Sequence, residues 1–143
     1  MRICPKGPLR NKLRFSRGLL PVVTQGRDGQ VLMVGYVNRR ALALSLSTGL
    51  MHYWSRSRRR IWLKGEVSGH RQRIIEARVN CEMNSLLFTV DQLGGCCHKG
   101  YSTCFYRSIS GRGLKVVEKK VFEPSVIYGR KGAPHAQEKF TDR

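Results

Sequence analysis

The sequence predicts an α+β fold, mostly antiparallel β with one short helix, in a single domain. Three observations carry this. Apolar and polar residues alternate over Arg73–Cys81 and Leu86–Asp91, the period of half-buried strands. Turn chemistry recurs between strand-like runs, at Gly26-Arg27-Asp28-Gly29 and Ser110-Gly111-Arg112-Gly113. No strands alternate with long helical patterns, which argues against a dinucleotide-binding α/β fold.

In chain order, residues 1–17 read as a basic, flexible arm. Leu19–Thr24 and Gln30–Tyr36 form the first hairpin. Asn38 is placed to cap a helix over Arg39–Ser47 that Gly49 closes. Leu50–Ser55 resumes as strand, and a polar basic loop leads to Ile61-Trp62. In Arg73–Cys81, Ile75, Ala77, Val79 and Cys81 are expected on one face, opposite Glu76, Arg78, Asn80 and Glu82. Met83-Asn84-Ser85 turns the chain into Leu86–Asp91, which Gly94-Gly95 ends. A last hairpin joins Cys104–Ile109 to Leu114–Lys119. The domain is expected over residues 18–129, with a polar tail at 130–143.

The 143 residues carry 27 Lys and Arg against 9 Asp and Glu, a net charge of +18. Such a balance suits anionic partners such as phosphorylated small molecules or nucleic acid. The basic residues are spread over arm, loop and tail, and no nucleic-acid motif accompanies them, which argues against a nucleic-acid module. No apolar run approaches the roughly 18 residues of a membrane span. Five cysteines, an odd number, with no secretory leader point to metal or catalytic use in a reducing cytosol. The expected location is therefore cytoplasmic.

Cys97 and Cys104 have six residues between them, and Cys81 lies 16 before Cys97. This is not the paired spacing of a structural zinc ribbon. Three protein ligands would leave zinc an open position for water, the catalytic pattern. Cys81 also suits a core position on an apolar strand face. Cys96 reads as a filler beside Cys97. His98 suits either a fourth ligand, closing the site, or a general base.

Several blocks together resemble the phosphoribosyl-AMP cyclohydrolase family. They are Gly35-Tyr36 with Asn38, Tyr53-Trp54-Ser55-Arg56-Ser57-Arg58, Trp62, Lys64-Gly65-Glu66, Ser68-Gly69-His70, Gln72, Gly94-Gly95, Cys97-His98, Gly100, Ser102, and Cys104-Phe105-Tyr106-Arg107. The resemblance covers about residues 18–109, and 121–129 is similar to a C-terminal tail of some members. It implies hydrolytic opening of the adenine ring of phosphoribosyl-AMP between N1 and C6, a step of histidine biosynthesis. It also implies an intertwined homodimer, with zinc on Cys81, Cys97 and Cys104 drawn from both subunits. His98 and His70 become candidate bases. Arg56, Arg58, Lys64 and Ser68 become candidate partners of the substrate phosphates and polar groups, and Trp54 and Trp62 of its base.

The chain departs from the family pattern around Cys81. Three carboxylates that hold magnesium in the family are here Asn80, Glu82 and Asn84. Magnesium is a hard cation that favours charged oxygens, so a weakened or lost site is expected. Gln25-Gly26, Val67 and Lys99 are smaller departures, and Lys99 adds positive charge beside the thiols. Two other readings share these residues. One is a divergent paralogue using the same zinc site on another purine-like or cyclic amidine substrate. The other is a non-catalytic, basic nucleic-acid-binding dimer.

Overall fold

The computed structural model describes residues 9–130. Its elements are α1 (Leu9–Lys12), β1 (Leu20–Gln25), β2 (Val31–Val37), α2 (Arg39–Thr48), β3 (His52–Ser55), β4 (Arg60–Leu63), β5 (Gln72–Val79), β6 (Leu86–Gln92), β7 (Arg107–Ser110), β8 (Gly113–Val116) and α3 (Pro124–Tyr128). The α+β class is as expected. Three helical segments stand where one was expected, two of them of four and five residues.

A four-stranded sheet in the order β2-β1-β6-β5 forms the frame. Its outer pairs are antiparallel, but β1 and β6 run parallel. A parallel pair needs a crossover connection. Here everything from β2 to β5 supplies it. β3–β4 and β7–β8 are separate antiparallel hairpins.

The core follows from alternation where the strands are regular. In β1, Leu20, Val22 and Thr24 are buried, and in β6 Leu86, Phe88 and Val90. α2 adds Ala41, Leu42, Ser45 and Leu46. The Asn38 side chain accepts from Ala41 N at 2.8 Å, and Gly49 closes the helix in the left-handed conformation at φ 76°. Tyr53 lies fully buried between Gly35 and Trp62. A Cβ on Gly35 would come 2.7 Å from the Tyr53 ring, so no larger residue fits there. Trp62 stacks on Tyr53 with ring centroids 5.1 Å apart.

Three local expectations are corrected. β5 carries a bulge between Ile74 and Glu76, which reverses the faces. Ile74 and Ala77 pack on the core, while Ile75 and Val79 are exposed. The strand also ends at Val79, so residues 80–84 are a turn and do not alternate. Asn80 N donates to Ser85 O, and Met83 sits at φ 57°. Finally, the expected arm is packed where the structure describes it. Leu13 is a core residue, and Arg14 N donates to Met83 O at 2.7 Å. The first eight residues of that arm and most of the tail lie outside the described residues.

Candidate metal and substrate site

Residues 94–106 run as a succession of turns and bends. Their path is set by close contacts that only glycine permits. A Cβ on Gly94 would meet the His70 ring at 2.4 Å, and Gly94 itself has φ 64°. A Cβ on Gly95 would meet the Phe122 ring at 2.5 Å. His70 is thus wedged between the glycine pair and Phe122, whose ring meets it edge-on at 4.7 Å. Its Nδ1 lies 3.1 Å from Gly95 O. With Nδ1 donating there, Nε2 is the basic nitrogen.

The thiols follow. Cys97 N donates to Tyr101 O, and Gly100 N to Cys97 O, which closes the loop on itself. Cys104 N donates to Leu32 O at 2.8 Å, and Thr103 Oγ1 to Val31 O at 2.7 Å, so β2 anchors Cys104. The Cys104 thiol lies close enough to those of Cys96 and Cys97 to influence both. Sharing with Cys104, and then burial, pushes the Cys97 thiol well up. Sharing with Cys96, together with burial, pushes Cys104 up to about 12. Cys96 is held below its ordinary value, first by its bond with Cys104 and also by the nearby Lys64 ammonium. His98 is pushed down by burial, then by Lys99 and Lys64, so its ring is neutral at neutral pH.

Cys96 is more than a filler. It is almost fully buried and accepts from Gln72 Nε2 at 3.5 Å. Gln72 belongs to a buried polar chain. Thr24 Oγ1 lies 2.7 Å from Tyr53 OH, Tyr53 OH donates to Gln72 Oε1 at 2.6 Å, and Gln72 Nε2 donates to Gln92 Oε1 at 2.9 Å. Gln92 Nε2 then donates to His70 O. This chain ties the core to both His70 and the thiols. In the sequence, only Gln72 beside His70 hinted at it.

A shallow, open cleft is lined among others by Ser55, Arg58, Trp62, Lys64, Ser68 and Tyr128, and Lys64, bonded to Cys96 O, joins it to the thiol loop. Arg58, Trp62, Lys64 and Ser68 are thus brought together as the sequence suggested. Tyr128, from α3, carried no sequence signal. Trp54 and Arg56 do not line this cleft, and the Arg56 guanidinium covers the Tyr36 ring at 4.1 Å. Lys64 stands apart from a phosphate grip. It is buried, and its Nζ donates to Cys96 O at 2.5 Å.

The metal donors divide into two cases. Cys97 and Cys104 are adjacent soft donors and suit zinc. Cys81 is exposed, and among the described residues no group of three or more His, Cys, Asp or Glu side chains is arranged to hold a metal. Asn80, Glu82 and Asn84 do not suit magnesium. Asn80 Nδ2 donates to Asn84 Oδ1 at 2.6 Å, and Asn80 Oδ1 accepts from Asn84 N and Ser85 N. The two amides are spent on each other and on the backbone, and Glu82 is left as the one carboxylate.

The family model for phosphoribosyl-AMP cyclohydrolase matches residues 33–106. A phosphoribosyl-AMP cyclohydrolase of Methanosarcina acetivorans is 49% identical over 117 residues, spanning 81% of this chain and 95% of that one. The chain belongs to the phosphoribosyl-AMP cyclohydrolase family. Its relative of that name from Methanothermobacter thermautotrophicus is 51% identical over 113 residues, 78% of this chain and 82% of the other. A histidine biosynthesis bifunctional protein HisIE of Thermoanaerobacter pseudethanolicus is 46% identical over 129 residues, 89% of this chain and 60% of that one. The cyclohydrolase match contains all the thiols described above, both candidate histidines and the cleft residues except Tyr128. The family is one of hydrolases, and this chain is an enzyme of that class. Among the described residues, no helix is long and apolar enough to cross a membrane.

Proposed function

We propose that this chain hydrolyses phosphoribosyl-AMP between N1 and C6 of its adenine ring, in histidine biosynthesis. The observation that carries the reading is the pairing of Cys104, tied to β2 through Leu32 O, with neighbouring Cys97 inside the span that matches the family. Zinc would be held by Cys97 and Cys104 of one copy and Cys81 of a second. Cys81 and Cys104 are both exposed, and among the described residues no three ligands of one copy come together, which supports this division. When bound, zinc supplies Lewis acidity and activated water at neutral pH.

The remaining chemistry falls to side chains of this chain. N1 of the substrate carries a ribosyl group, so the ring is cationic and C6 is electrophilic. Water adds at C6, the C6–N1 bond breaks, and the water oxygen ends as a carboxamide oxygen on C6. His98, neutral at neutral pH, accepts a proton from that water. His70 presents Nε2 as a second proton carrier, because Nδ1 is engaged with Gly95 O. Arg58 and Ser68 in the cleft bind phosphate and ribose oxygens, and Trp62 offers a ring face to the base. No step runs through magnesium, since Asn80 and Asn84 are paired with each other.

The test is ultraviolet monitoring of phosphoribosyl-AMP ring opening by zinc-loaded protein, with and without magnesium. Turnover with zinc alone is expected. Absence of turnover in both conditions contradicts the reading.

A further inference from the structure

Lys64 follows β4 directly, and its position is fixed before any ligand arrives. Its backbone N donates to Met51 O at 3.0 Å. The next residue, Gly65, has φ 81°, and a Cβ there would come 2.6 Å from the His70 carbonyl carbon. The side chain is directed inward. Lys64 is only 6% exposed, its Nζ donates to Cys96 O at 2.5 Å, and it stands 6.0 Å from the Trp62 ring centroid.

A buried ammonium is costly unless an opposite charge answers it. Among the described residues no carboxylate lies within 4.0 Å of Lys64 Nζ. The Cys96 carbonyl is a dipole and the Trp62 ring a weak partner at that distance. The groups that share its surroundings are the thiols. Its Nζ is bonded to the carbonyl of Cys96, so the ammonium lies against the backbone that carries Cys96 and Cys97. One zinc ion with three thiolates carries a single net negative charge, which one ammonium neutralises.

We infer that Lys64 is the built-in counter-charge of the zinc–thiolate group, a positioning residue that holds the Cys96-Cys97 backbone and favours metal binding, and not a ligand of substrate phosphate. This rests on the zinc reading above. It has an unusual corollary. Without metal, the buried ammonium is answered only by the Cys96 carbonyl dipole. With metal, it becomes half of a neutral pair.

The test is zinc competition against a chromophoric chelator, alongside thermal melting of metal-free protein, for wild type and Lys64→Met. Methionine keeps the unbranched stem to within one atom and removes the charge. The expected result is at least tenfold weaker zinc binding in the variant, with a metal-free melting temperature equal to wild type or higher. Zinc affinity within twofold of wild type overturns the inference. So does a metal-free variant that fails to fold, since Lys64 would then serve the fold itself. Weakened binding of inorganic phosphate with unchanged zinc affinity would return Lys64 to the phosphate role. If wild type itself binds no zinc, the zinc reading fails first, and the two failures are thereby distinguished.

Discussion

Single side chains in this protein are placed by partners far away in sequence. Arg27, in the turn between β1 and β2, reaches Asp91 on β6 in a two-pronged ion pair, with Nε–Oδ1 at 2.5 Å and Nη2–Oδ2 at 2.8 Å. That contact holds the Asp91 carboxyl below its ordinary range, through the hydrogen bond first and the charges of Arg27 and Arg73 after it. The sign follows from linkage. The carboxylate is favoured in the folded state, so its contribution is present above the unfolded carboxyl value of about 3.9 and is lost as pH falls through the lower folded value. Arg27→Ala should move the Asp91 titration, followed by carboxyl NMR, up toward the ordinary range. An unchanged midpoint would show that the ion pair does not persist in solution. Tyr53 is the buried counterpart. Its hydroxyl joins Thr24 to Gln72, and Tyr53→Phe removes that partner from Thr24 Oγ1 and Gln72 Oε1, both at zero exposure. The expected cost is about 1–3 kcal/mol by chemical denaturation. A loss near zero would mean the network re-pairs without it.

At the level of elements, what was legible in the sequence was local. The Asn38 and Gly49 caps of α2 and the regular alternation of β6 depend on neighbours a few residues apart, and both are where the pattern placed them. The bulge in β5 was not legible, because Ile74 and Ile75 are equally apolar and only pairing with β6 chooses which faces inward. Nor was the parallel pairing of β1 with β6, which joins segments more than sixty residues apart. Of the site, the residue types were visible but not their directions. Nothing in Leu63-Lys64-Gly65 tells that the ammonium turns toward Cys96. The turn at 80–84 is the clearest case of a motif with altered chemistry. Two carboxylates at the 2.6 Å separation of the Asn80 and Asn84 amides would repel unless a cation lay between them. Here an amide donor makes the cation unnecessary. Magnesium should therefore leave the melting temperature of the native protein unchanged. The double variant Asn80→Asp, Asn84→Asp should melt lower without magnesium and recover several degrees with it. A native protein that gains several degrees with magnesium would refute the amide account.

The molecule as a whole exposes much apolar surface at its edges. Ile109, Leu114 and Val116 on β7 and β8 are 87%, 63% and 52% exposed, and Ile75 and Val79 are exposed on β5, the last strand of the sheet. Cys81 lies just beyond that strand, exposed, while Cys97 and Cys104 sit together elsewhere. On the proposed reading, the sheet frame, the glycine-wedged loop and the inward Lys64 would build one part of a zinc centre and present the other to a second copy. The decisive measurement is subunit complementation. Cys81→Ala and Cys97→Ala proteins, each inactive alone, are unfolded together, refolded with zinc, and assayed for ring opening of phosphoribosyl-AMP. A site shared across a twofold dimer leaves each mixed dimer one intact site, so roughly a quarter of native turnover should return by random pairing. A site built within one chain returns none, and that result would contradict the account.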